Sequence, residues 1–154
     1  MPTPISATYL NVQIARVSAA LPALGAWDAA PVEMSCPYFT HVTLTFTYTR
    51  AAAGGAFDWQ IQTSPYSIAA NVPAGASEWV MESIYAGGGV VAGADTQSRA
   101  QREYQNYASQ GVAAESFSFG PIALEGTIER MRVRARETGA IGNPGTLQIQ
   151  AVFA

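Results

Sequence analysis

From Tyr38 to Arg50, apolar and polar positions alternate without a break. Val42, Leu44, Phe46 and Tyr48 fall on one side, and His41, Thr43, Thr45, Thr47 and Thr49 on the other. A period of two with large apolar residues on one side is the pattern of a strand with one buried face. A second run sets Phe57, Trp59 and Ile61 against Asp58, Gln60 and Gln62. Between the two lies Ala51-Ala52-Ala53-Gly54-Gly55, so the pair predicts an antiparallel hairpin.

The same period recurs along the chain. Leu10, Val12 and Ile14 alternate with Tyr9, Asn11 and Gln13, and Glu78 to Tyr85 opposes Trp79 and Met81 to Glu78, Val80 and Glu82. Ser116 to Phe119 supplies a short run. Thr127 to Arg136 sets Met131, Val133 and Ala135 against Ile128, Arg130, Arg132, Arg134 and Arg136. The last run aligns Leu147, Ile149, Ala151 and Phe153, and Gly142-Asn143-Pro144-Gly145 before it has strong turn chemistry. Asp95 to Ser109 fits two periods. Ala100, Tyr104, Tyr107 and Ala108 have helical spacing, whereas Arg102, Tyr104, Asn106 and Ala108 would share a strand face; the β context favours strand. Seven to eight strands joined by Gly/Pro-rich turns predict an all-β chain, an antiparallel β-sandwich of jelly-roll-like size with long loops. It reads as one domain, with a strand and loop-rich arm over 1–37 and a body over 38–154.

Composition narrows the function. Only 12% of the 154 residues are charged, about half the usual share, and all eight basic residues are arginines. A formal charge of −3 argues against a nucleic-acid partner, which requires a basic stripe. No apolar run is long enough for a membrane helix. The start lacks the basic and apolar regions of a signal peptide, so assembly in a cytoplasm, or earlier removal of a leader, is expected.

Chemistry-bearing residues are few. The one histidine, His41, lies among threonines on a polar strand face, and Cys36 precedes Pro37 with no basic neighbour to activate it. The glycines of Ala86 to Asp95 match neither G-x-G-x-x-G nor a Walker loop, which also needs a lysine, and read as a flexible loop. Glu78 and Glu82 would lie roughly 13 Å apart on one strand, too far for a glycosidase pair, and Asp58 has no visible partner. One His, one Cys and scattered acids show no metal-ligand spacing. The expectation is a protein without catalytic residues, cofactor or metal.

Arg130, Arg132, Arg134 and Arg136 are the most unusual feature: four like charges at ~7 Å intervals along one strand face. Either neighbouring strands set Glu, Asp or Gln opposite, for example Gln148 and Gln150, or the row meets carboxylates on another subunit. Trp59 and Trp79 read as core residues. Trp27, in a loop, joins the four arginines as a candidate subunit-interface residue, and a sugar-binding sandwich using Trp27 or Tyr66 is the alternative.

The stretch YFTHVTLTFTYTRAAAGGAFDWQIQTSPYS and the end ESFSFGPIALEGTIERMRVRARETGAIGNPGTLQIQAVFA resemble small virion proteins of tailed bacteriophages. The likeness lies in Thr-rich strands, Ala/Gly-rich turns, scarce charge and a Gly-x-x-x-Arg-x-Arg-x-Arg strand before a GNPG turn. It implies a non-enzymatic capsid decoration or minor capsid subunit, or a tail or baseplate component, located in the virion after assembly in the host cytoplasm. It also implies other virion proteins as partners, the major capsid protein foremost, and a homo-oligomer, commonly a trimer seated by an N-terminal arm.

Overall fold

The computed structural model describes residues 11–81, 84–85, 101–102, 105–111, 113–124 and 128–154. Its strands are β1 (Asn11–Ala20), β2 (Met34–Ser35), β3 (His41–Thr49), β4 (Ala56–Ser64), β5 (Val80–Met81), β6 (Ile84–Tyr85), β7 (Gln101–Arg102), β8 (Gln105–Ala108), β9 (Ala114–Ala123), β10 (Arg130–Glu137) and β11 (Thr146–Phe153). A four-stranded sheet runs β1-β11-β3-β9. A five-stranded sheet runs β2-β10-β4-β5, with β8 also on β4, and β6 pairs β7 separately. Every pairing is antiparallel. First and last strands are neighbours, and the chain changes sheet between β1, β2, β3 and β4 and again between β9, β10 and β11. This is the jelly-roll order, and the expected all-β sandwich is what the chain forms.

The topology corrects two expectations. Strands β3 and β4 do not form a hairpin: they lie in opposite sheets. Their apolar rows face each other across the sandwich, with Phe46 and Trp59 rings 4.9 Å apart and Tyr48 and Phe57 rings 5.0 Å apart. Alternation assigns each strand a buried face but does not say whether the next strand lies beside or opposite. Stacking buries both aromatic rows at once. Likewise β10 and β11 are in different sheets, so Gln148 and Gln150 do not lie opposite the arginines.

The core is built from the predicted rows: Val42, Leu44, Phe46 and Tyr48; Phe57, Trp59 and Ile61; Met131, Val133 and Ala135; Leu147, Ile149, Ala151 and Phe153. The strand expected over 78–85 is shorter. Val80–Met81 pairs with β4, Ile84–Tyr85 pairs with β7, and residues 82–83 lie outside the described residues. The ambiguous 95–109 region is strand at 101–102 and 105–108, with Tyr107 buried against Phe117. The glycine-rich tract 86–95 lies outside the described residues. Residues 11–37 are built into the sandwich, contributing β1 to one sheet and β2 to the other and burying Leu21, Met34 and Cys36. On β1 the apolar row Val12 and Ile14 points outward and is exposed.

Glu137 completes the inward row of β10 after Met131, Val133 and Ala135, and it is fully buried. Its carboxylate accepts backbone N–H bonds from Ala56 (2.8 Å), Ala140 (3.0 Å) and Gly145 (3.0 Å) and the hydroxyl of Tyr48 (3.0 Å). Ala56 ends the β3–β4 connection, while Ala140 and Gly145 belong to the β10–β11 connection. One side chain therefore clips together two of the links between sheets. The connections pack so closely that a Cβ on Gly145 would meet the Tyr48 ring, and one on Gly139 would collide with the carbonyl of Gly54.

Glu137→Ala should destabilise the protein by about 3–5 kcal/mol in urea denaturation, because it strands several buried donors together. Burial, then the Glu137 carboxylate, raises the Tyr48 pKa well above its ordinary value; burial, then the hydrogen bond to Glu115, pushes Tyr107 up to about 12. Unfolded tyrosines ionise near ~10 while these stay protonated in the fold, so stability should fall as pH rises from about 10 through 12. Tyr48→Phe should flatten that fall in a pH series of thermal melts.

Candidate functional site

On the outer face of β10, Arg130, Arg132, Arg134 and Arg136 stand opposite Ser64, Gln62, Gln60 and Asp58 of β4. Arg130 is buried and pairs with Glu33 (2.7 Å) and Glu78 (2.8 Å), while its Nε donates to the Tyr66 carbonyl (2.6 Å). Burial opposes its charge, but the Glu78 and Glu33 carboxylates outweigh that and raise its pKa. Arg132 donates from Nε to Gln62 Oε1 (2.7 Å), and Arg134 from Nε to the Asp28 carbonyl (3.1 Å). Arg136 donates from Nε and Nη2 to Asp58 Oδ2 (3.0 and 2.9 Å), and Asn106 holds the other oxygen of that carboxylate (2.8 Å).

Two half-buried indoles cover this row. Trp79 lies 4.9 Å from the Arg130 guanidinium and 4.2 Å from that of Arg132. Trp27 lies 5.9 Å from Arg134 and 4.3 Å from Arg136. Each such contact contributes ~0.5–2 kcal/mol. Trp79 is therefore not in the core, as its alternation with Met81 suggested; it caps the outer face, and Trp27 does the same one step along. Trp59 is the core tryptophan. Each capping indole neighbours in sequence the acid that pins its segment: Trp27 precedes Asp28, and Trp79 follows Glu78.

Asp28 is the stronger anchor. Its carboxylate accepts from the Ala135 N–H (3.0 Å) and from Arg16 Nε (3.0 Å) and Nη2 (3.1 Å), and its own N–H donates to the Ala135 carbonyl (3.1 Å). Arg16, on β1 of the opposite sheet, also donates to the carbonyls of Ala19, Ala20 and Leu147. The segment between β1 and β2 thus straps the edge of β10, covering backbone groups that would otherwise invite another strand.

The other candidates are held by the fold. His41 is exposed, its Nδ1 2.9 Å from the Thr40 hydroxyl. Cys36 is fully buried, and burial, then the Glu129 carboxylate, push its thiol up to about 11. Asp58 is under Arg136, Glu78 is paired to Arg130, and Glu82 lies outside the described residues. Among the described residues no three His, Cys, Asp or Glu come together as metal ligands, and no helix is long and apolar enough to cross a membrane.

The outer face of the four-stranded sheet has the opposite character. Its outward positions are Val12 and Ile14 on β1, Thr146, Gln148, Gln150 and Val152 on β11, His41, Thr43, Thr45, Thr47 and Thr49 on β3, and Ala114, Ser116, Ser118 and Ala123 on β9. None is an acid or an arginine. Thr45 bonds Ser118 (3.0 Å) and Thr47 bonds Ser116 (3.3 Å), tying the hydroxyls into rows. Fold and faces together define a jelly-roll sandwich with one arginine face braced by tryptophan and one face whose described strand positions carry no acid or arginine. Compared with family models, curated proteins and solved structures, the chain matches none of them.

The row makes contrasting demands on its members. Arg130→Met leaves Glu33 and Glu78 facing each other and should cost about 2–4 kcal/mol. Arg134→Met, which strands no carboxylate, should cost less than about 1 kcal/mol. Thermal melts of the two variants side by side test the difference. Cys36 should stay unmodified by a thiol reagent at pH 8 in the folded protein and react fully once it is denatured.

Proposed function

We propose that the protein is a non-enzymatic structural subunit that assembles with other proteins through the outer face of the four-stranded sheet. The observation that carries this reading is that, among the described residues, the outward strand positions of that face include no acid or arginine, where a free protein usually keeps mixed charges for solubility. Hydroxyl and amide rows beside Val12, Ile14 and Val152 suit a broad, hydrogen-bonding contact. Four strands at ~4.8 Å spacing and about eight residues long give on the order of 500 Å² of face, most of the ~800 Å² that a standard interface buries per partner.

The resemblance to small virion proteins of tailed bacteriophages makes the capsid surface the proposed place of assembly, as a decoration or minor capsid subunit. The jelly roll is compatible with that and also with sugar binding, since the same architecture serves capsid and lectin domains. For the sugar reading, Trp27 and Trp79 already stack on arginines.

Light scattering of the purified chain, with co-sedimentation against shells of the major capsid protein from the same genome, tests the proposal. An oligomer or a shell-bound fraction is expected. Thr45→Glu combined with Gln150→Glu should abolish either one and leave the melting temperature within a few degrees. A monodisperse monomer that stays in the supernatant would overturn the reading, and quenching of tryptophan fluorescence by a sugar would favour the alternative.

A further inference from the structure

We propose that Arg132 and Arg134 form a docking site for an extended acidic segment of a partner protein, one whose carboxylates lie two residues apart. The site is on the opposite face of the sandwich from the uncharged sheet, so it does not depend on that sheet being an interface.

Charge is balanced unevenly along the row. Arg130 has two carboxylates and Arg136 has one. Among the described residues, neither Arg132 nor Arg134 has a carboxylate within ion-pair distance. Each uses Nε on an uncharged acceptor, the Gln62 side chain or the Asp28 carbonyl, and directs no terminal Nη hydrogen bond at a described residue. Among the described residues, the terminal donors of two neighbouring forks at the centre of the row thus meet no hydrogen-bond acceptor. Their mutual repulsion is felt: burial first, then the charge of Arg134, lower the Arg132 pKa.

Geometry selects the ligand. Alternate residues on one strand face are ~6.6–7 Å apart, the same separation as alternate side chains of any extended peptide. An acid-x-acid segment laid along β10 would place one carboxylate on each fork, where guanidinium and carboxylate meet in two parallel hydrogen bonds. The forks are already oriented, since each Nε is tied down and the Trp79 ring lies 4.2 Å from the Arg132 guanidinium. Less side-chain freedom is therefore lost on binding. The flanks limit the length of the ligand. Glu33 and Glu78 stand at one end of the pair and Asp58 at the other. A long polyanion running down the row would meet these acids, whereas a two-carboxylate segment fits between them. That favours an acidic peptide over nucleic acid or a sulfated glycan.

The test uses the full chain and a peptide of alternating Thr and Asp, with the Thr/Asn peptide as control, and follows the arginine Nε–Hε NMR signals and tryptophan fluorescence. The Asp peptide is expected to shift the Arg132 and Arg134 signals saturably, less so as salt is raised, while the Asn peptide has no effect. Arg132→Gln with Arg134→Gln should weaken binding at least about tenfold. Should that double variant fail to fold, Arg134→Gln alone carries the test, because its one side-chain bond among the described residues goes to a backbone carbonyl. Equal binding of both peptides, no saturable binding, or full binding by the arginine variants would overturn the proposal. Heparin binding more tightly than the Asp peptide through the same two arginines would overturn it in favour of a polyanion.

Discussion

The way the two sheets are joined depends on one buried carboxylate. A jelly roll must carry its chain repeatedly across the gap between sheets, and each crossing exposes backbone donors that no ladder satisfies. Glu137 gathers such donors from two crossings, the one between β3 and β4 and the one between β10 and β11, and adds the hydroxyl of Tyr48. A neutral side chain there would have too few acceptor positions for this set of partners. The glycines at 139 and 145 follow from the same constraint, because the connections that Glu137 draws together leave no room for a Cβ.

The same economy governs the chain's other charges. Arg16, Asp58, Glu115, Arg130 and Glu137 are all buried. Asp28 is largely covered, between Arg16 and the edge of β10. A chain with only 12% charged residues thus uses many of them inside its own architecture. Scarcity of charge in the sequence becomes, in the fold, a sheet whose described outward positions include no acid or arginine. On the other face each arginine lies near an indole, Arg130 and Arg136 also pair with acids, and Arg132 and Arg134 are tied through Nε to uncharged acceptors; a planar guanidinium can lie against an indole and still fork to an acceptor.

Alternation was enough to locate β3, β4, β10 and β11 and their buried rows, though on β1 the apolar row of Val12 and Ile14 faces outward, and the parity of Met131, Val133 and Ala135 placed the four arginines on the outside. That parity also puts Glu137 inside, and an acid in an apolar row is the signal that would have found the clip. Pairing was not legible, because a strand of period two looks the same whether its sequence neighbour lies beside it or across the core. The AAAGG segment reads as a hairpin loop and GNPG as a turn, yet both span the gap between sheets. Nor did the period of two reveal the caps. Trp79 alternates with Met81 as a core residue would, but its strand begins only at Val80. What distinguishes Trp27 and Trp79 is their acidic neighbour in sequence, Asp28 or Glu78, which anchors a loop over a row of arginines.

The two faces then differ in what they can recognise. The uncharged face makes its hydrogen bonds from hydroxyls that already bond one another across strands, so a partner there gains area and shape more than direction. The arginine face is the reverse: narrow, oriented, and charged at its centre, because Glu33 and Glu78 neutralise one end and Asp58 the other. Such a face contributes register and choice of partner rather than bulk affinity. In the proposed assembly one sheet would seat the subunit and the other align it, and the strap from Arg16 through Asp28 to Ala135 ties the two sheets together.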